Sequence, residues 1–221
     1  RSELLSNYQE NDQILKKIYL IKQTNQVRIL QTIIRDSKTD RAIFCHNARR
    51  LMKLCIIEAI SLFKFLKCSI NNDISINSLV KNICTVSIMR AGEAFEDAAR
   101  EILYEHSQGK ILIQTNEKTD EPEFHYLKLP NDIRNKSILL FDATIASGAA
   151  AIMAIRVLMD HDVNEEDIIM TTLLLTPAGV QSIFNAFPGV KIVAAAIDNH
   201  VNTNYHIIPG LGNFGSRYFG T

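Results

Sequence analysis

An acidic residue and a run of small residues separate a predicted strand from a predicted helix in the segment Phe141-Asp142-Ala143-Thr144-Ile145-Ala146-Ser147-Gly148-Ala149-Ala150. Ligands of open α/β sheets bind beyond the carboxyl ends of the strands. A helix N-terminus attracts phosphate, and small side chains let an anion approach the backbone. One interpretation is a phosphate-binding loop, with Asp142 in an open crevice facing sugar hydroxyls. The alternative is an ordinary loop in which Asp142 is a solvated turn residue.

The rest of the second half alternates strand and helix patterns. Apolar runs typical of buried strands occupy residues 85–89, 111–113, 137–141, 168–175 and 191–197. Helical spacing occupies residues 95–102, 149–161 and 178–184, and residues 121–129 suggest a projecting arm. Strands that alternate with helices predict a mainly parallel sheet, and continuous apolarity places helices on both of its faces. The predicted fold class is α/β.

The first part of the chain gives a weaker pattern. Residues 1–38 look polar and irregular apart from an apolar stretch at 27–34. A helix is predicted from Thr39 or Asp40, because apolar side chains share one face at Ala48, Leu51, Met52, Cys55, Ala59 and Leu62. Residues 71–73, Asn-Asn-Asp, predict a loop.

Composition limits the classes of function. The chain has 221 residues, of which 47% are hydrophobic and 22% charged, as expected of one large globular domain. Its 24 basic residues balance 24 acidic ones, which argues against nucleic acid as the main partner. We expect no membrane span, because no apolar run reaches about 18 residues.

The cysteines and the first residues bear on location and completeness. Cys45, Cys55, Cys68 and Cys84 lie among apolar neighbours, without CxxC spacing. They predict free thiols in a reducing compartment, the cytoplasm, although a zinc or disulfide framework stays open. Because the chain opens with Arg-Ser-Glu, we expect it to be a piece of a longer polypeptide.

Two further segments are candidates for ligand binding. Arg90 directly follows a strand, so its guanidinium could reach phosphate in the same crevice, or else form a surface ion pair. The tail reads Ile207-Ile208-Pro209-Gly210-Leu211-Gly212-Asn213-Phe214-Gly215. Its G-x-G-x-x-G match is false, because too few residues remain for the required helix and acid. We interpret the tail as a backbone-lined loop that hydrogen-bonds a planar ligand.

Known nucleophile and phosphate motifs are missing from the sequence. It contains neither GxxxxGK[ST] nor GxSxG, which argues against a self-contained kinase or an α/β-hydrolase. The six histidines are isolated from one another, so no general base can be assigned.

The combination resembles the uracil phosphoribosyltransferases of the type I phosphoribosyltransferase superfamily. The resemblance covers residues 27–221, with residues 1–26 as an N-terminal extension, and is closest to the C-terminal domain of uridine–cytidine kinase-like proteins. It is carried by Ser87-Ile88-Met89-Arg90-Ala91-Gly92, the loop at 142–150, Ala196-Ile197-Asp198, Ile208-Pro209-Gly210-Leu211-Gly212 and Phe219-Gly220-Thr221.

The resemblance implies a fold, a reaction and a set of site residues. It implies a phosphoribosyltransferase type I fold with a projecting β-arm and a C-terminal hood that holds the base. The reaction joins uracil to 5-phosphoribosyl 1-diphosphate and gives UMP and pyrophosphate, with Mg²⁺ carried by the diphosphate substrate. The diphosphate substrate would contact Arg90, Thr115, Asp142, Ala143, Thr144, Ile145, Ala146, Ser147, Gly148, Ala149, Ala150 and Asn213, with Asp142 as the catalytic residue. Uracil would contact Ile207, Gly212, Asn213 and Phe214.

Several positions depart from the pattern of the family. The loop ends Ser147-Gly148-Ala149-Ala150 where the family has Thr-Gly-Gly-Ser/Thr. Thr115 replaces an arginine, and Asn213 and Ser216 replace aspartates. Each lost ligand would cost about 1–3 kcal/mol of binding. A catalytically degenerate, nucleotide-binding regulatory domain of a uridine kinase-like protein is therefore the alternative.

The resemblance also concerns partners. It implies a homodimer or tetramer, to which the arm at 121–129 would contribute. A GTP effector and a covalently attached uridine kinase domain are partners that the resemblance raises and the sequence leaves open.

Overall fold

A computed structural model describes residues 17–63, 82–116, 119, 121–202 and 206–221. The expected loop at residues 71–73 and Cys68 lie outside the described residues. The strands are β1 Ile18–Leu20, β2 Ile83–Met89, β3 Ser107–Thr115, β4 Pro122–Lys128, β5 Ser137–Phe141, β6 Thr144–Ile145, β7 Ile168–Leu175, β8 Lys191–Ile197, β9 His200–Val201 and β10 Ile207–Ile208. The helices are α1 Asn25–Arg35, α2 Arg41–Ser61, α3 Glu96–Ile102, α4 Ala149–Met159, α5 Pro177–Ala186 and α6 Phe214–Phe219.

The main sheet of the described residues is parallel except at one edge. Its order is β1-β8-β7-β5-β2-β3-β4, and the short β6 pairs with β7. The antiparallel pair is β3 with β4, and this pair forms the predicted arm. The α/β prediction is confirmed. Because β2, β5, β7 and β8 run parallel, their carboxyl ends lie next to one another along the C-terminal edge of the sheet.

Helices cover both faces of the sheet. One apolar core joins one face to α1, α2, α3 and α6, and a second core joins the other face to α4 and α5. Every residue of β7 is buried, as the continuous apolar run predicts for a central strand covered on both sides. Within the described residues, none of the helices has the length and apolar character needed to cross a membrane.

The predicted helix of the first half is confirmed, but the expectation for the residues before it is wrong. Asp40 is the N-cap of α2, and the predicted apolar face of α2 is buried up to Ala59. Residues 25–35 are helical rather than irregular, because Thr24 caps α1 and buried side chains recur at Val27, Leu30 and Ile34. Helical spacing in this stretch was therefore present in the sequence.

An edge strand lies ahead of the expected start of the domain at residue 27. Strand β1 pairs in parallel with β8, and Ile18 is opposite Ile192. The sheet thus includes residues of the segment that we expect to be an N-terminal extension.

Candidate active site

The ends of β2 and β5 are packed against each other at the shared edge. A Cβ added at Gly92 would lie 2.2 Å from the carbonyl oxygen of Phe141, so no side chain fits there. The turn after Arg90 therefore lies directly against the start of the loop at 142–150, as expected if both belong to one site.

Asp142 is held at the end of β5 by the backbone around it. Its N–H donates to the Thr171 carbonyl oxygen at 3.3 Å, and its carboxylate accepts the N–H groups of Ala143 and Thr144. The side chain is half-buried rather than in an open crevice, because the loop folds back to pair β6 with β7. Burial raises the pKa of Asp142 to about 7, and the two N–H groups oppose this rise. Near neutral pH the carboxyl group can therefore accept or donate a hydrogen bond.

The second half of the loop is fastened to the start of α5. Thr176 Oγ1 donates to the Ala146 carbonyl oxygen at 2.6 Å and accepts the Gly179 N–H at 3.0 Å. Gly148 has a φ of 82°, and an added Cβ would lie 2.6 Å from the Gly179 carbonyl oxygen. This position therefore requires glycine, both for its conformation and for space.

Residues Ser147, Ala149 and Ala150 form the entrance to α4. Ser147 is exposed, and its Oγ accepts the Ala149 N–H at 3.3 Å. Ala149 and Ala150 are the first two residues of the helix. The predicted order of strand, acid, small residues and helix is present, and it is the arrangement that suits an anion.

Arg90 extends towards the C-terminal segment. Its Nη1 donates to Thr221 Oγ1 at 3.0 Å, and its guanidinium carbon lies 5.4 Å from the ring centroid of Phe219. A Cβ added at Gly215 would lie 3.6 Å from both Arg90 Nη2 and Asn213 Oδ1. The structure thus brings both Arg90 and Asn213 close to Gly215.

The tail buries some of its apolar side chains and leaves Gly212 and Asn213 exposed. Ile207 and Phe214 are buried. The ring centroid of Phe214 lies 5.6 Å from that of Phe44 and 5.4 Å from that of Tyr218. Asn213 Oδ1 caps α6 by accepting the Ser216 N–H at 2.9 Å, and exposed Gly212 has a φ of 71°. A planar ligand at residues 212–214 would therefore meet backbone amides.

Thr115 lies apart from these segments. It is the exposed last residue of β3 and pairs with Pro122 on β4. It is three residues beyond Leu112, the partner of Met89, which corresponds to about 10 Å along the strand. The structure places Thr115 on the arm.

Sequence reasoning missed the basic side chains that hold the tail. Arg35 pairs with Asp198 through both carboxylate oxygens at 2.6 and 2.9 Å, and Arg41 Nε donates to the Tyr218 carbonyl oxygen at 2.9 Å. Arg217 donates to the carbonyl oxygen of Leu211 at 2.7 Å. The Ala196-Ile197-Asp198 motif pointed to Asp198, but nothing local pointed to Arg35, whose partner is 163 residues away.

Comparison with known proteins identifies the family. A family model described as uracil phosphoribosyltransferase matches residues 21–221. The chain belongs to the uracil phosphoribosyltransferase family. Uracil phosphoribosyltransferase 1 of Schizosaccharomyces pombe is 38% identical over 208 residues, which cover 92% of this chain and 95% of the relative. Uridine-cytidine kinase-like 1 of Mus musculus is 47% identical over 207 residues, 91% of this chain but 38% of the relative. Relatives with the uracil phosphoribosyltransferase name are thus matched over nearly their whole length, and the kinase-like one over a part.

A solved structure has the same overall fold as this chain. The AQ2163 protein from Aquifex aeolicus superposes with a TM-score of 0.78 at 22% identity, covering 92% of this chain and 98% of that chain. At this identity the similarity concerns the fold alone.

Proposed function

We propose that the chain is a uracil phosphoribosyltransferase of pyrimidine salvage, a glycosyltransferase that makes UMP from uracil and 5-phosphoribosyl 1-diphosphate. One observation carries the proposal: the loop at 142–150, the Arg90 turn and the glycine-rich tail meet at one sheet edge. They do so in a chain that matches the family over residues 21–221. We also propose residues 27–221 as the domain, with 1–26 as an extension that contributes β1.

The reaction breaks the bond between ribose C1 and the diphosphate oxygen and forms a bond from C1 to uracil N1. The N1 proton is lost and pyrophosphate leaves. Such chemistry depends mainly on positioning and on stabilising charge at the ribose carbon. The entrance to α4 would hold the 5-phosphate, Asp142 would bond the ribose hydroxyls, and Arg90 would face the diphosphate. The roles of Thr115 and Asn213 in diphosphate binding belong to the same proposal.

The base would be bound by the main chain. Uracil presents alternating acceptors and a donor, which backbone groups at Ile207 and at residues 212–214 can complement without a charged side chain. Cytosine presents an amino donor and an unprotonated ring nitrogen at the corresponding positions. A site formed for uracil would leave buried polar groups unpaired with cytosine.

Magnesium would arrive with the diphosphate substrate. Among the described residues, no three His, Cys, Asp or Glu side chains cluster closely enough to hold a metal ion, and the loop offers the single carboxylate of Asp142. This donor set fits a Mg²⁺ ion that takes most of its ligands from substrate oxygens and water. When bound, the ion would neutralise charge on the departing pyrophosphate.

Assembly and location are part of the proposal. We place the protein in the cytoplasm as a homodimer or tetramer, with GTP as a candidate effector. The 38% coverage of the mouse relative supports a covalently attached uridine kinase domain.

The test is direct synthesis of UMP. Purified protein, uracil, 5-phosphoribosyl 1-diphosphate and magnesium should give UMP and pyrophosphate in equal amounts, followed by chromatography. Cytosine in place of uracil should give no product. An absence of UMP, with a folded protein and saturating substrates, would reject the proposed reaction.

A second candidate is a nucleotide-binding regulatory domain without turnover. It is favoured by Ala150, which has no hydroxyl for the phosphate, and by the neutral Asn213 at an aspartate position. This candidate predicts that UMP binds in calorimetry although the two substrates give no UMP.

A further inference from the structure

The C-terminal end of α1 is joined to the tail by an ion pair. Arg35 Nη1 donates to Asp198 Oδ2 at 2.6 Å, and Arg35 Nη2 donates to Asp198 Oδ1 at 2.9 Å. Asp198 directly follows β8 and is 8% exposed. Two parallel hydrogen bonds fix the orientation of the guanidinium as well as its position.

The same ion pair holds both backbone groups of Gly210. The Gly210 N–H donates to Asp198 Oδ2 at 2.8 Å, and Arg35 Nη1 donates to the Gly210 carbonyl oxygen at 3.2 Å. Gly210 has a φ of 64°, and an added Cβ would lie 1.9 Å from the Ile207 carbonyl oxygen. The turn is therefore tight, and Arg35 and Asp198 set its direction.

Arg217 holds the next residue, Leu211. It donates to the Leu211 carbonyl oxygen at 2.7 Å and to the Ile34 carbonyl oxygen at 2.6 Å. Its guanidinium lies 4.1 Å from the ring centroid of Phe44. Residues 210 and 211 are thus both tied to the end of α1, directly before the exposed residues Gly212 and Asn213.

The helix that carries Arg35 is itself bonded to β8. Gln23 and Gln31 each donate to the Ala195 carbonyl oxygen at 2.9 Å. Helix α1, the end of β8 and the tail therefore form one hydrogen-bonded unit, whereas the loop at 142–150 is held by β7 and α5.

We propose that Arg35 and Asp198 are positioning residues for the pyrimidine base. The inference rests on the proposed function, and it assigns to this pair the placement of the main-chain groups that read uracil. A site that recognises its ligand through the backbone has no side chain that can adjust, so a small shift of the backbone weakens binding. The effect should be larger on uracil than on phosphoribosyl diphosphate, because the phosphate loop has separate supports and Asn213 is the one tail residue proposed to contact the diphosphate substrate.

The test compares Arg35→Lys with Arg100→Lys. Lysine keeps the charge but cannot make the two parallel bonds to Asp198 together with the bond to Gly210. Arg100, on α3, forms ion pairs with Glu96 at 3.1 Å and Asp97 at 3.2 Å. Arg100→Lys is the control, because it makes the same substitution at an arginine that pairs with two carboxylates but does not contact the tail. Arg35→Lys should raise KM for uracil about tenfold, with kcat and KM for phosphoribosyl diphosphate changed less than about threefold. Asp198→Asn, which can still accept from Gly210, should act in the same direction.

The outcomes separate the two proposals. If the unaltered protein makes UMP and Arg35→Lys leaves KM for uracil unchanged, or raises both KM values equally, the positioning role is rejected. If the unaltered protein makes no UMP, the proposed reaction fails, and amide hydrogen exchange then decides the role of the pair. Faster exchange at residues 210–214 in Arg35→Lys than in Arg100→Lys would support it, and equal exchange would overturn it.

Discussion

The loop at 142–150, which we propose binds phosphate, and the tail at 207–221, which we propose binds the base, are held in different ways. The loop is fixed by short contacts to its backbone, which are the strand pairing of Thr144 with Leu174 and the hydrogen bond from the Thr176 hydroxyl to the Ala146 carbonyl oxygen. The tail is fixed by long side chains, with Arg35 and Arg41 reaching it from the first two helices.

This difference predicts different responses to substitution. The loop backbone is closely packed against its neighbours, so a methyl group added to a loop residue would clash with them. Tail contacts involve flexible cations whose bonds can be lost one at a time. Damage to the loop should therefore affect ribose phosphate binding and stability together, and damage to the tail should affect the base more selectively.

The largest expected effect is that of Asp142→Asn on turnover. The amide keeps the size of the side chain but cannot ionise, and it replaces one carboxylate oxygen with an NH2 donor where we propose that the ribose hydroxyls bind. We expect UMP formation to fall about 100-fold, as for the loss of other preorganised polar contacts at a reacting centre. Steady-state rates should be compared with those of Asp132→Asn, an exposed carboxyl group that pairs with Lys136. Unchanged substrate affinity and turnover in Asp142→Asn would show that this loop is not the active site.

The next effect is the pH dependence of stability. The pKa of Asp142 is raised from 3.8 in the unfolded chain to about 7 in the folded protein. As the pH rises, the unfolded state therefore loses the Asp142 proton at a lower pH than the folded state does. The free energy of unfolding should fall by a few kcal/mol, relative to Asp142→Asn, as pH rises from about 4 to about 7, and no further above that. Urea unfolding of both proteins at pH 5 and pH 8 measures this. A difference that stays constant between the two pH values would contradict the raised pKa.

Substitution of one glycine in the loop and one in the tail compares the two regions at positions with the same left-handed backbone conformation. Gly148 and Gly212 both have positive φ, but an added Cβ meets the Gly179 carbonyl oxygen at 2.6 Å in the loop, while its nearest neighbour in the tail is Arg217 Cδ at 3.7 Å. Gly148→Ala should therefore cost about 3 kcal/mol of unfolding free energy, and Gly212→Ala about 1 kcal/mol. Equal shifts of the urea midpoint would mean that the packing of the loop on α5 contributes nothing.

The smallest effect should be a gain. Ala150→Thr restores a hydroxyl at the start of α4, where the family supplies one to the 5-phosphate. One added hydrogen bond contributes about 0.5–1.5 kcal/mol, so the Kd of phosphoribosyl diphosphate should fall by up to about tenfold in calorimetry. Ala186→Thr, at the exposed end of α5, is the control. Tighter binding without UMP formation would favour the regulatory candidate.

The loop was predictable from the sequence because its determinants are adjacent in the chain. An apolar strand, Asp142, small residues and a helix occupy ten consecutive positions, and the structure has them in that order. Helix α1 was predictable as well, since Val27, Leu30 and Ile34 have helical spacing, yet it was interpreted as irregular. The anchoring of the tail was not predictable, because Arg35 resembles any surface arginine until the fold brings it to Asp198. The half-burial of Asp142 likewise depends on the pairing of β6 with β7, which two residues alone do not indicate.

The anchoring of the tail also has a consequence for the order of folding. Arg35 bonds residues that lie 163 and 175 positions later, and Arg217 bonds a residue 183 positions earlier. Contacts between such distant residues form late, because a large part of the chain must first be ordered between them. During synthesis, β5, α4 and β7 can assemble around the phosphate loop while the tail is still inside the ribosome. The surface that we propose binds the base is therefore completed last, after the rest of the sheet has formed.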